Sequence, residues 1–275
     1  MSQDHKKNSP NSITDSQLIH DDMDFPEEHS RLLVSNPFNT SGSGIEKHVI
    51  SRQISKMDEP GLLSNDDMEE RGILFPESSD RVLVNRFRDL RTKLLEMSKG
   101  NNFSLLITSI TEGGGGSFVA LNLASAFSFD KSKTALIVDC NLREPSLHQK
   151  LEFVPEHGLT DFLDNPEIDI GSIIYPSGLQ RLRVIPAGTR SEYPSEFFSS
   201  FRMKQFLGAV RKRYPDRFVI LDAPSLEESP DARILSELCD YTMMVVPHAK
   251  VSEAQITKAV SSFSEDKFVG VVLNG

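Results

Sequence analysis

The chain has 275 residues, 38% of them apolar, and a formal net charge of −10 with a pI near 5.2. That is enough for one sizeable core or two small ones. No window approaches the roughly 18 consecutive apolar residues of a membrane span, which excludes an integral membrane protein, and the acidic balance argues against binding nucleic acid by bulk electrostatics.

No apolar run follows the lysines of the N-terminus, so no secretory signal is expected. Two cysteines, Cys140 and Cys239, exclude a disulfide framework or a zinc ribbon and favour a reducing cytoplasm. Residues 1–79 carry 15 acidic and 7 basic side chains, a net of −8, against −2 for residues 80–275. The first part is rich in Ser, Asn, Asp and Pro, and its apolar clusters are too short to offset ordering entropy. Residues 1–79 therefore read as a disordered acidic tail and 80–275 as one globular domain. Within the tail, Val49, Ile50, Ile54 and Met57 at helical spacing and the knot Arg31-Leu-Leu-Val34 read as transient structure, or as segments that fold on a partner.

From residue 80 helices and strands alternate. Leu83, Phe87, Leu90, Leu94 and Met97 mark one face of a helix ending near Gly100. Phe103–Thr108 is a short apolar run, hence a buried strand, followed by glycines and a helix over Ser117–Phe127. Thr134–Asp139 and Leu182–Ile185 are further strands. Met203–Tyr214 is a helix, and Phe218–Asp222 a strand ended by an aspartate. Pro230–Leu238 is a helix with proline in its first turn. Tyr241–Val246 is a strand, Ser252–Phe263 a helix capped by Ser252, and Phe268–Leu273 the last strand. Apolar strands alternating with helices predict an α/β fold: a doubly wound, mostly parallel sheet flanked by helices. In such sheets ligands bind beyond the carboxyl ends of the strands.

Three features sit at those ends. Thr108-Ser-Ile-Thr-Glu112-Gly-Gly-Gly-Gly116-Ser117-Phe118 joins a strand to a helix, the geometry that holds phosphates on backbone N–H groups and a helix N-terminus. Its pattern is G-x-x-x-x-G-K-[ST], in which lysine neutralises phosphate charge and the hydroxyl binds Mg²⁺. Ser117 is in place for the metal, and Gly113 and Gly115 suit the tight backbone, but Gly116 occupies the lysine position. A flexible turn with no ligand is the competing reading of the glycines. Asp222 and Asp139 end apolar strands, as a metal-orienting or basic aspartate does; a turn cap is the alternative for Asp222. Arg143 reaches a phosphate or braces a loop. His148 and His157 have no partners at ligand spacing and read as surface or capping residues.

Together these segments resemble the bacterial tyrosine kinases of capsule and exopolysaccharide synthesis, a branch of the P-loop NTPases near the partition and septum-site ATPases. The resemblance covers about residues 80–274. Against the family loop T-S-x-x-P-G-E-G-K-S-x-x-A-x-N-L-A, Thr108, Ser109, Gly113, Gly115, Ser117, Ala120, Asn122, Leu123 and Ala124 match without a gap. The motif I-D-A-D-x-R-x-P is similar to Val138–Pro145, with Asp139 and Arg143 kept and Asn141 replacing the second aspartate. The motif I-I-D-x-P-P is similar to Ile220–Ser225. Gly158–Leu163, Pro186–Gly188, Pro194–Glu196 and Asp231-Ala232 also match family segments. The assembly motif E-x-x-R-x-x-R appears as Asn85, Arg88 and Arg91, without its glutamate, and the family's terminal tyrosine cluster is not found before the last residue, Gly275.

The resemblance implies catalytic and metal roles for Asp139 and Asp222, with Ser117 as the third metal ligand. It implies ATP/ADP and Mg²⁺ held by Gly113–Phe118 and Arg143, weakened by the missing lysine. It further implies a cytoplasmic protein, membrane-associated through a polysaccharide chain-length or co-polymerase partner, that forms a homo-oligomer. The reading is a degenerate kinase acting as regulator or scaffold. Its rivals are an active tyrosine kinase or ATPase using a substitute cation, Arg143 or a neighbouring subunit's arginine, and a partition-type positioning switch. The switch normally carries a second lysine early in the loop, and residues 108–117 contain none.

Overall fold

Six-residue strands with every side chain buried require cover on both faces, and the computed structural model, which describes residues 61–213 and 217–275, shows that arrangement. Its central strands are β1 (Ser104–Ser109), β2 (Thr134–Asp139) and β5 (Arg217–Asp222), with β4 (Leu182–Ile185), β6 (Tyr241–Pro247) and β7 (Phe268–Asn274) outside them. The sheet runs β3-β4-β2-β5-β1-β6-β7. All pairings are parallel except the two-residue edge strand β3 (Tyr175–Pro176), which is antiparallel to β4. The predicted doubly wound sheet is therefore present.

Alternate residues of each central strand feed opposite cores. Leu105, Ile107, Ala135, Ile137, Phe218 and Ile220 face α2 (Arg81–Met97) and α3 (Gly116–Ser128). Leu106, Leu136, Val138, Val219 and Leu221 face α7 (Phe201–Arg213) and α8 (Asp231–Leu238). This is the two-residue period of a strand read out on both sides. The helix α9 (Glu253–Val260) starts at a capping box made by Ser252 and Gln255 and covers β6 through Ala259.

The predicted strands hold to within a residue at each end. Met97, expected on the inner face of α2, is 44% exposed. The sequence pattern missed α1 (Asn65–Glu70), the short helices α4 (Leu147–Lys150), α5 (Leu159–Asp164) and α6 (Pro194–Ser199), and a 3₁₀ turn at Ile170–Ile173. None is long enough to show a helical period.

The expected boundary at residue 79 is corrected. Ile73, Leu74 and Phe75 are buried in the core. Two polar side chains of α3 hold them there. Asn122 Oδ1 accepts from the Leu74 N–H at 2.7 Å and its amide donates to the Gly72 carbonyl at 3.0 Å, while the Ser125 hydroxyl donates to the Leu74 carbonyl at 2.6 Å. The segments Arg31–Val34 and Val49–Met57 lie outside the described residues.

Candidate functional site

The loop between β1 and α3 lies at the carboxyl end of β1, one of the central strands of the sheet. It is held open from below: the Thr108 hydroxyl donates to the Pro224 carbonyl at 2.7 Å, the Ser109 hydroxyl to the Thr111 carbonyl at 2.7 Å, and the Ile110 N–H to the Val245 carbonyl at 3.0 Å. Gly113 and Gly115 take left-handed φ values of 62° and 90°, open to glycine at no steric cost. Gly115 is also required by its neighbour, because a side chain there would collide with the Asn274 amide. Among the described residues, only one N–H between Glu112 and Phe118 has a protein acceptor, that of Gly114 on the Thr111 carbonyl at 3.1 Å. The others form, with the start of α3, a concentration of free donors suited to an anion.

Gly116 is the first residue of α3. A Cβ there would stand 3.3 Å from the Ser109 nitrogen and 3.5 Å from its Cβ and Oγ. The contact is tight, and the Ser109 backbone must give by a few tenths of an ångström to admit a side chain. Phe118 contributes only its N–H, since its ring packs edge-on against Phe87 at 6.2 Å.

Asp139 and Asp222 are register partners at the ends of β2 and β5, beside the loop, and are 0% and 1% exposed. Asp139 accepts N–H bonds from Asn141, Ser146 and Leu147, each at 3.1 Å. Burial raises its pKa and these three donors oppose the rise. Neither oxygen of Asp222 has a partner with hydrogen-bond geometry. Burial, and then the Asp139 charge, push its pKa up to about 8, although the Ser117 hydroxyl and the Lys150 ammonium nearby pull it down. A buried carboxylate pair beside a serine, with the Asp222 oxygens left without a partner, offers the oxygen donors that suit a hard cation such as Mg²⁺. The residues fit a Mg-nucleotide in their backbone donors and oxygen ligands, and lack the loop cation.

Arg143 is placed elsewhere. Its Nη1 pairs with the fully buried Asp231 at 2.8 Å, and Asp231 also accepts from the Ser195 hydroxyl at 2.5 Å. Arg143 braces the loop after β2 against α6 and α8; in this arrangement it is committed to a protein carboxylate. Glu112, Glu144 and Glu228, on the loops after β1, β2 and β5, bring exposed carboxylate oxygens within 4.8 Å of one another. Cys140 and Cys239 are free and buried. A cavity of about 560 Å³ bounded by Phe103, Arg211, Asp240 and Lys267 opens at the amino ends of β1 and β6, away from the loop.

Sequence reasoning missed Lys150 and the clamp made by Asn122. The second had a signal: Asn122 is a polar residue inside the apolar stretch Val119–Phe127, and a buried amide must find partners.

The glycine loop, the two strand-end aspartates and the parallel sheet define a P-loop NTPase-type domain. No family model matches the chain. In sequence it is similar to the tyrosine-protein kinase wzc of Salmonella typhi, 29% identical over 196 residues, covering 70% of this chain and 27% of that one. It is similar also to the tyrosine-protein kinase YwqD of Bacillus subtilis (strain 168), 29% identical over 209 residues, covering 75% of this chain and 86% of that one. The match thus spans about a quarter of the length of wzc. Among solved structures it resembles the BceF tyrosine kinase domain, with 26% identity and a TM-score of 0.64 over 83% of this chain and 97% of the other. The chain is thus similar to bacterial tyrosine-protein kinases, in line with the resemblance of its motifs. No helix among the described residues is long and apolar enough to cross a membrane.

Proposed function

We propose that this protein is a kinase-derived subunit of an exopolysaccharide assembly system, acting as regulator or scaffold on the cytoplasmic side of a membrane chain-length partner. The observation that supports this most is the combination at one loop: backbone donors, Ser117, Asp139 and Asp222 stay assembled while position 116 carries no cation. A loop lysine stabilises charge developing during phosphoryl transfer, and groups of that kind are each worth several kcal/mol in a water-poor site. Without it the pocket retains weak affinity for ATP or ADP with Mg²⁺ and loses most of its transfer activity. Ser117, Asp139 and Asp222 would hold the metal, and Gly113–Phe118 the phosphates through N–H groups. The bound group would contribute charge neutralisation; these residues contribute its position.

Purified protein incubated with Mg·ATP is expected to form no phosphotyrosine. Clear phosphotyrosine that disappears in Asp222→Ala would overturn the reading and favour an active kinase.

A further inference from the structure

The loss of the loop lysine raises the question of which cation of this chain faces the pocket. Arg143 does not serve, because its guanidinium is paired with buried Asp231 at 2.8 Å. His148 lies near enough to Asp139 to lower its pKa. Lys150 is differently placed. It ends α4, the four-residue helix that begins where the Ser146 and Leu147 N–H groups bind Asp139 Oδ2. That anchor fixes α4 against the aspartate pair. Residue 150 is one turn beyond Leu147, hence on the same side of the helix. Its side chain is half-buried and makes no ion pair or hydrogen bond among the described residues. Its charge acts on Asp222, on the strand directly beside β2, whose oxygens have no partner with hydrogen-bond geometry.

We propose that Lys150 supplies the cation that position 116 lacks: it is a phosphate-binding residue of the candidate nucleotide site, approaching from the loop after β2 instead of from the glycine loop. This rests on the reading of the loop as a nucleotide cradle. Lys150 follows by one turn the backbone groups that bind Asp139, the register partner of Asp222, and an ammonium that is not already paired gives up little to meet a phosphate. Two buried aspartates with three glutamates at the mouth make a compensating charge necessary before any polyphosphate can enter. Lys150 is the cation that the geometry leaves available for it.

The test is calorimetric titration of the full chain with Mg·ATP, comparing wild type with Lys150→Met, Lys150→Arg and Lys93→Ala, an exposed lysine on α2. Thermal melts of each variant show that the fold persists. Removing a charge-assisted contact should weaken binding about tenfold or more in Lys150→Met. Lys150→Arg should retain most of the affinity and Lys93→Ala all of it. Equal affinity in Lys150→Met and wild type overturns the proposal. So does absence of binding by wild type, and a titration of Gly116→Lys then separates the two ideas. Binding by that variant alone keeps the nucleotide cradle and dismisses Lys150; binding by neither removes the cradle as well.

Discussion

Asp139 and Asp222 stand in register at the ends of adjacent strands, yet one accepts three N–H bonds and the other has no partner with hydrogen-bond geometry. The Cys140 N–H donates to the Asp222 carbonyl at 2.8 Å, which locks the two backbones together while leaving the second carboxylate bare. The difference comes from the loops. The chain after β2 turns back through Ser146 and Leu147 onto Asp139, whereas the chain after β5 leaves through Ala223 and Pro224, and a proline has no N–H to give.

The bare carboxylate makes stability depend on pH. Its folded pKa of about 8 lies above the ordinary 3.8, so the native state holds a proton that the unfolded state releases. The associated stability is fully present below about pH 3.8 and falls as pH rises towards 8. In metal-free buffer Asp222→Asn should therefore raise the melting temperature at pH 8 and change it little at pH 4. Each kcal/mol corresponds to about 2–4 °C for a domain of this size. Scanning calorimetry at the two pH values checks it; an equal effect at both removes the charge argument.

Asn122 joins the loop helix to the segment preceding the predicted domain. Replacing it with alanine strands the buried Leu74 N–H and the Gly72 carbonyl. The expected loss is about 1–3 kcal/mol in urea unfolding. Ser125→Ala, which removes a single donor to the Leu74 carbonyl, should cost less.

The glycines of the loop are not equivalent. Gly113→Ala meets open space and carries only the strain of its φ of 62°, about 1 kcal/mol. Gly115→Ala carries the same kind of strain and must also displace the Asn274 amide, which donates to the Gly114 carbonyl at 3.3 Å. It should lose clearly more stability in the same measurement, and a reversal of the order would contradict the packing described here.

Arg143 and Asp231 provide an asymmetric pair. Arg143→Ala leaves a fully buried carboxylate with one hydroxyl partner, at an expected cost of about 3–5 kcal/mol. Asp231→Asn leaves the half-exposed guanidinium able to turn to water and should cost less. Urea titrations of the two variants give the comparison.

Much of this was legible in the sequence. The buried strands β1, β2 and β5, of which only Arg217 is partly exposed, announce themselves as apolar runs ended by polar residues, and Ser252 with Gln255 announces the start of α9. The glycine loop and both aspartates were found because their positions at strand ends follow from those runs. What was missed depends on partners distant in the chain. Ile73–Phe75 has no period of its own, and its place is decided by Asn122 and Ser125, some fifty residues on. Arg143 carries no sign of its commitment to Asp231, 88 positions away. Lys150 sits in a helix too short for any pattern.

The backbone donors of the loop, Ser117, Asp139 and Asp222 stand together while position 116 carries glycine in place of lysine. Calorimetric titration of Mg·ATP into wild type and Gly116→Lys tests the consequence directly. Weak binding by wild type is expected, with an affinity at least tenfold higher once a lysine stands at 116. A Gly116→Lys protein that folds and binds no better than wild type would contradict this expectation.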